Sequence, residues 1–121
     1  MENGTRGRDM SAPVEFITLN GTQYKTVYNN QTARIAEDVY EQQYGKDEGY
    51  GEILKGIAKG KYSAIMALFY AAIISGGAQL SWEDFDAQFH LDSIEGVREI
   101  IARAVQKTLP DVPEQEDTEN P

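Results

Sequence analysis

The chain has 121 residues, of which 40% are hydrophobic and 26% are charged, with a net charge of -9 and no cysteine. This length fits one domain. The absence of cysteine excludes a disulfide framework, a thiol nucleophile and a thiolate metal site. The acidic excess disfavours direct binding to nucleic acid, because lysine and arginine must neutralise phosphates there. The composition therefore predicts a soluble, single-domain protein whose partners are not nucleic acids.

The two ends of the chain differ in composition from its middle. Residues 110–121 contain five acidic side chains and no basic one. Residues 1–13 are polar and lack the apolar stretch of a secretory signal. We therefore predict a disordered N-terminal arm at 1–13, one folded domain at 14–109 and a disordered acidic tail at 110–121.

A β-hairpin is predicted at the start of the folded part. Residues 14–19 and 22–28 are rich in β-branched and aromatic side chains and flank Asn20-Gly21, the pair preferred in two-residue type I′ turns. A lone hairpin is only marginally stable, so one face is expected to pack on helices. A free edge exposing Tyr24 and Tyr28 is predicted to bind another chain. Alternatively, these tyrosines line the seam between hairpin and helices.

Five helical segments follow, each bounded by capping or terminating residues. The fold class is therefore mainly α with a small N-terminal β-hairpin (α+β), built around a central apolar helix. The predicted helices run from Asn29 or Asn30 to about Tyr44, from Tyr50 to Gly60, from about Tyr62 to Ser75, from the cap at Ser81 over a short span, and from a cap at Asp92-Ser93 to Leu109-Pro110.

The third helix contains the most informative stretch of the chain. Residues 64–74 carry no charge on any side, so this helix must be covered by its own neighbours or shared with another protein. Eleven residues are too few to span a bilayer, which needs about 20. We predict a central core helix. In the alternative, a flank of it or of its packing partners contacts a partner protein, with Tyr62, Phe69 and Tyr70 as candidates.

No catalytic or metal-binding pattern is complete. His90 is the only histidine, and its spacing from Asp84, Asp86 and Asp92 does not match an EF-hand loop. The segment around Gly60-Lys61 lacks the first glycine and the Ser or Thr of a phosphate-binding loop. We therefore predict that the protein is not an enzyme and has no catalytic residues, cofactor or metal.

The order of several short segments resembles a known family. Residues 16–24 read FITLNGTQY, a helix rich in Glu and Tyr ends at Gly45, residues 53–61 read ILKGIAKGK, and residues 80–85 read LSWEDF before a final helix rich in Ile and Val. This order is similar to that of the tail assembly chaperones of long-tailed bacteriophages and prophages. The resemblance covers about residues 14–109.

The resemblance implies a non-enzymatic assembly factor. Such a protein binds the tape measure protein, keeps its hydrophobic helices soluble and helps to recruit tail tube protein. It acts in the host cytoplasm, binds no membrane and is absent from the mature virion. The resemblance supplies no residue-level site, so the candidate partner-binding residues remain Tyr24, Tyr28, Tyr62, Phe69 and Tyr70.

Two other functions stay open, as does assembly into a homo-oligomer. A small acidic phage inhibitor would place carboxylates where DNA carries phosphates. A structural tail or connector subunit would be found in purified particles. The DNA-mimic function is disfavoured because most of the surplus acid lies in the predicted tail.

Overall fold

A computed structural model of the protein describes residues 14–107, apart from the side chain of Val14. Within this range an N-terminal β-hairpin precedes five α-helices, which confirms the predicted mainly α fold class. The predicted arm, the acidic tail and the helix stop at Leu109-Pro110 lie outside the described residues. The elements are β1 (Val14–Leu19), β2 (Thr22–Val27), α1 (Asn30–Tyr44), α2 (Tyr50–Ala58), α3 (Tyr62–Ser75), α4 (Trp82–Gln88), a 3-10 turn (Leu91–Ser93) and α5 (Ile94–Gln106).

The hairpin forms through a two-residue turn. Asn20 and Gly21 both have positive φ, 51° and 83°, as a type I′ turn requires. The strands pair antiparallel with Leu19 opposite Thr22. Because side chains alternate along a strand, Leu19 lies on the face that packs against the helices, whereas Phe16 lies on the outer face and is exposed. The hairpin therefore contributes one layer that covers the helices.

A hydrogen-bonded cap joins the hairpin to α1. The Asn29 side chain accepts the Thr32 backbone N–H at 3.1 Å, and Thr32 Oγ1 accepts the Asn29 N–H at 3.1 Å. The Thr32 hydroxyl also donates to the Val27 carbonyl oxygen at 2.6 Å. This reciprocal capping box confirms the predicted helix start. The helix ends at the predicted glycine, Gly45, which has a φ of 66°.

Helix α3 is the centre of the core. Nine of its 14 residues are buried, and α1, α2, α5 and β2 all pack against it. Two glycines allow neighbouring elements to lie close to α3. Gly56 of α2 lies against Ala64 of α3, and Gly76, at the end of α3, lies against the Lys25 carbonyl group of β2. The structure thus confirms the prediction of a central core helix. None of the described helices is both long and apolar enough to cross a membrane on its own.

The last two helices begin in different ways. Ser81 Oγ accepts the Asp84 N–H at 3.1 Å, so the predicted cap of α4 is confirmed. The predicted side-chain cap at Asp92-Ser93 is wrong, because Ser93 makes no capping hydrogen bond. Its φ and ψ of -91° and -3° are not the extended values that aim a capping side chain at the first helical amides. The 3-10 turn leads into α5 instead.

Helix α5 completes the cover of the core. Val97, Ile101 and Ala104 face inward, while Arg103 and Lys107 are exposed. Arg103 and Lys107 lie 3.8 and 3.6 Å from the Glu15 carboxylate of β1. Such partly exposed pairs contribute little to stability. Their consequence is positional, since they tie the end of α5 to the hairpin.

Candidate protein-binding surfaces

Eight of the 12 aromatic side chains form one connected cluster at the junction of α1, α3 and α4. Neighbouring ring centroids in it are 5.1 to 6.3 Å apart, mostly in edge-to-face arrangements. This geometry is favourable because the positive ring edge meets the negative ring face. The cluster comprises Tyr40, Tyr44, Tyr62, Phe69, Tyr70, Trp82, Phe85 and Phe89.

The inner part of this cluster attaches α4 to the core. Phe85 is the only buried residue of α4, and its ring centroid lies 5.1 Å from that of Phe69 and 5.2 Å from that of Tyr70. The Tyr70 hydroxyl donates a hydrogen bond to the Leu80 carbonyl oxygen at 2.7 Å. One inserted ring and one hydrogen bond therefore hold the position of this short helix.

The outer rings of the cluster, Tyr62, Trp82 and Phe89, are accessible. Together with Asp86 of α4 and Leu91 of the 3-10 turn, they form what we call the α4 face. Trp82 and Asp86 have the i, i+4 spacing that places them on one side of α4, and Phe89 directly follows the end of the helix. Leu91 is 68% exposed and Tyr62 is 39% exposed, while Trp82 and Phe89 are half-buried. The α4 face therefore combines accessible apolar area with one carboxylate.

The α4 face has a negative electrostatic environment. Burial, with smaller contributions from the nearby Tyr62 and Asp86, raises the pKa of Tyr44 to about 12. Burial and the Asp86 carboxylate also raise the pKa of Tyr62. Helix α4 itself has three exposed acidic side chains and no Lys or Arg. Within the described range no salt bridge engages Asp86, so its charge is not balanced there.

A second candidate surface is a groove between α2 and α5, which we call the α2–α5 groove. It has a volume of about 210 Å³ and is open to solvent. Ile57 and Val105 are buried beneath it, whereas Ala58 and Ala102 are exposed and too small to fill it. The lining residues are Leu54, Ile57, Ala58, Ala102, Val105 and Gln106, so only one of the six is polar.

The five predicted partner-binding residues fall into three environments. Tyr62 is exposed on the α4 face, and Tyr70 is half-buried in the aromatic cluster. Phe69 is fully buried, so the prediction of an accessible contact there is wrong. The reason is that Phe85 and the other rings of the cluster cover it.

The predicted exposed hairpin edge is also wrong at Tyr28, which is only 3% exposed. Tyr24 pairs across the hairpin with buried Ile17 and is itself half-buried. Since residues two apart share a face, Tyr24, Thr26 and Tyr28 all point to the side that packs on the helices. The alternative, in which these tyrosines line the seam, is the one observed.

Sequence patterns pointed to parts of these surfaces only. The i, i+4 spacing of Trp82 and Asp86 is a readable signal for one side of α4. The α2–α5 groove has no sequence signal, because it depends on how far apart two helices lie. Among the described residues, no group of three or more His, Asp or Glu side chains is arranged to bind a metal.

Tyr28 gives the fold a dependence on alkaline pH. Burial raises its pKa from 10.0 to about 12, while the unfolded chain keeps the ordinary value. Between these values the folded state retains a proton that the unfolded state loses. Stability should therefore fall as pH rises from 10 towards 12, by about 1.4 kcal/mol per pH unit from this residue.

Replacement of Tyr28 by phenylalanine should reduce this loss. Urea unfolding of Tyr28→Phe and of the unmodified protein should be compared at pH 8 and pH 11. The variant is expected to retain more of its pH 8 stability at pH 11, although other tyrosines still titrate. An equal loss in the two proteins would show that Tyr28 ionises as easily in the folded state as in the unfolded chain.

Comparison of the chain with family models, with curated proteins and with solved structures finds no match.

Proposed function

We propose that the protein is a non-enzymatic chaperone for phage tail assembly that binds the tape measure protein in the host cytoplasm. It would keep this client soluble while tail tube subunits are recruited, and it would be absent from the finished virion. The observation that carries the proposal is the open, apolar α2–α5 groove. The order of segments that resembles the tail assembly chaperones supplies the identity of the client.

The shape of the groove suits an apolar helix. Two neighbouring helices with small rim residues, Ala58 and Ala102, leave a valley into which side chains at i, i+3, i+4 or i+7 of a third helix can insert. Long hydrophobic helical segments are what a chaperone of this kind must shield. The groove therefore offers a docking mode matched to the chemistry of the proposed client.

The size of the groove favours weak and reversible binding. A volume of about 210 Å³ admits only a few large apolar side chains. Two or three such anchors contribute about 3–9 kcal/mol before the costs of ordering and association are subtracted. The net affinity is then modest, as suits a factor that releases its client when the tail tube assembles.

The proposed client-binding site does not lie on the apolar helix α3 itself. Residues 64–69 of α3 are sealed by its neighbours, and a client cannot reach them without unfolding. The groove instead lies on α2 and α5, two of the helices that pack on α3. The alternative in which a packing partner of α3 contacts the client therefore has more support.

Co-expression with a tape measure protein encoded beside this chain tests the proposal. The unmodified protein should raise the soluble fraction of the tape measure protein and co-purify with it. The double variant Ala58→Arg/Ala102→Arg fills the groove without removing a buried side chain, so it should abolish both effects. Ala87→Arg on α4 is the matched control, since Ala87 is also an exposed helical alanine, and it should behave like the unmodified protein.

Two outcomes would contradict the proposal. One is a tape measure protein whose solubility does not respond to the unmodified chain. The other is a groove variant that keeps its fold by circular dichroism and still supports the client fully. Mass spectrometry of purified particles separates the chaperone from a structural tail subunit, because only the subunit should be detected.

A further inference from the structure

The α4 face is a surface that the proposed client site does not use. It lies on α4 and the start of α3, whereas the α2–α5 groove is formed by two other helices. Two large hydrophobic side chains on it, Tyr62 and Leu91, are exposed. Apolar area at these two positions, beside the half-buried Trp82 and Phe89, is typical of a protein-binding surface.

We propose that the α4 face binds a basic, amphipathic helical segment of another protein. Lysine or arginine side chains of this segment would lie against the rings of Tyr62 and Trp82 and pair with the Asp86 carboxylate. Its apolar side chains would cover Phe89 and Leu91. This interaction is separate from client binding in the groove and does not depend on it.

Charge complementarity selects a basic partner. Helix α4 carries three exposed carboxylates, Glu83, Asp84 and Asp86, and no Lys or Arg. Glu83 and Asp84 lie in the first turn of α4, where the positive end of the helix dipole stabilises their negative charges. Asp86 lies beyond the first turn, is exposed, and pairs with no basic side chain of the described range.

The aromatic cluster already accommodates a cation at another point. The Lys61 ammonium lies over the Tyr40 ring, 5.6 Å from its centroid. The ring face attracts a positive charge because of its quadrupole. Tyr62 and Trp82 offer the same chemistry at the accessible end of the cluster, where no lysine or arginine of the described chain lies over them. A basic partner would therefore repeat there an interaction that the fold makes internally.

Trp82 provides a direct reporter, since it is the only tryptophan. The full chain should be titrated with a synthetic helical peptide of leucine and lysine, and with the same peptide carrying glutamate in place of lysine. The lysine peptide should give a saturable change in Trp82 fluorescence and the glutamate peptide none. High salt should weaken the binding because exposed charges are screened.

Charge reversal at one position locates the interaction. Asp86→Lys should weaken binding of the lysine peptide by at least about tenfold, since it places like charges together. Glu99→Lys is the matched control, because it changes the net charge equally at an exposed helical position on α5 and should leave the affinity within about twofold. Leu91→Ser, at the most exposed apolar position, should also weaken binding.

Three results would overturn the proposal. The first is an equal fluorescence response to the lysine and glutamate peptides. The second is equal affinity in Asp86→Lys and Glu99→Lys. The third is a response that Asp86→Lys retains but another variant loses. Loss in Glu114→Gln/Glu116→Gln/Glu119→Gln would assign peptide binding to the acidic tail. Loss in Ala58→Arg/Ala102→Arg would assign it to the α2–α5 groove. The peptide titration is independent of the co-expression experiment, so a negative result for the groove in co-expression would not contradict peptide binding at the α4 face.

Discussion

Replacement of Phe85 by alanine is expected to lower the free energy of unfolding by about 3–5 kcal/mol. The side chain is fully buried, and its ring contacts Phe69, Tyr70 and Trp82 at centroid distances of 5.1 to 5.3 Å. The substitution removes the transfer free energy of the ring and leaves a cavity beside Phe69, Tyr70 and Trp82. Since small domains have a net stability of about 5–15 kcal/mol, the loss is a large part of the total.

The measurement is urea unfolding followed by circular dichroism. Phe16→Ala is the matched control, because it makes the same chemical change at a side chain that is 55% exposed. The control should change stability by no more than about 0.5 kcal/mol. Equal destabilisation by the two substitutions would mean that Phe85 is not packed as described.

The Phe85 substitution should also have a local effect. No other residue of α4 is buried, so without this ring the helix keeps only partial contacts through Trp82 and Phe89. The fluorescence of Trp82 should then shift towards that of a solvated indole before the rest of the protein unfolds. Phe85 and the Tyr70–Leu80 hydrogen bond together anchor the α4 face, which explains how a seven-residue helix can present a defined surface.

Most element boundaries could be predicted because local chemistry decides them. The turn needs two residues with positive φ, and Asn20-Gly21 supplies them. Gly45 adopts the left-handed conformation that ends α1, and Ser81 caps α4 through its own hydroxyl. In each case the residue and its structural consequence are only a few positions apart, so no knowledge of the tertiary structure is needed.

The buried face of the hairpin could not be predicted in the same way. Strand β1 carries large apolar side chains on both faces, with Phe16 on one and Ile17 and Leu19 on the other. Either face could in principle have packed on the helices. The helices contact the face that carries Ile17 and Leu19, which buries Tyr28 and leaves Phe16 in solvent. A choice between two apolar faces depends on contacts distant in sequence.

The two candidate surfaces also could not be predicted from the sequence, because they depend on contacts distant in the chain. Leu54 and Ile57 are both apolar residues of α2, yet Ile57 is buried and Leu54 is half-buried. The space beside them exists because the small side chains of Ala58 and Ala102 line it from two helices that are far apart in the chain. Similarly, Phe69 belongs to an all-apolar helix whose pattern cannot indicate which side a neighbour covers.

Replacement of Gly76 by alanine is expected to destabilise the protein by about 1–3 kcal/mol or more. Gly76 follows α3 with φ and ψ of -80° and -2°, values that alanine adopts without strain. Backbone conformation alone would therefore predict an increase in the free energy of unfolding of about 0.4–1 kcal/mol, because alanine lowers the conformational entropy of the unfolded chain. A Cβ atom at this position, however, would lie 2.1 Å from the Lys25 carbonyl oxygen of β2. Backbone atoms cannot rotate away as a side chain would, so the hairpin must shift.

Gly96→Ala is the matched control, and it should change stability in the opposite direction. Gly96 is an exposed position within α5, and a Cβ atom there would have no neighbour within 4 Å. The gain should be about 0.5–1 kcal/mol, as for alanine in place of glycine inside a helix. Thermal or urea unfolding of both variants shows directly whether each substitution raises or lowers the free energy of unfolding. If Gly76→Ala were stabilising as well, β2 could not lie against the end of α3, and the hairpin would not cover the central helix in this way.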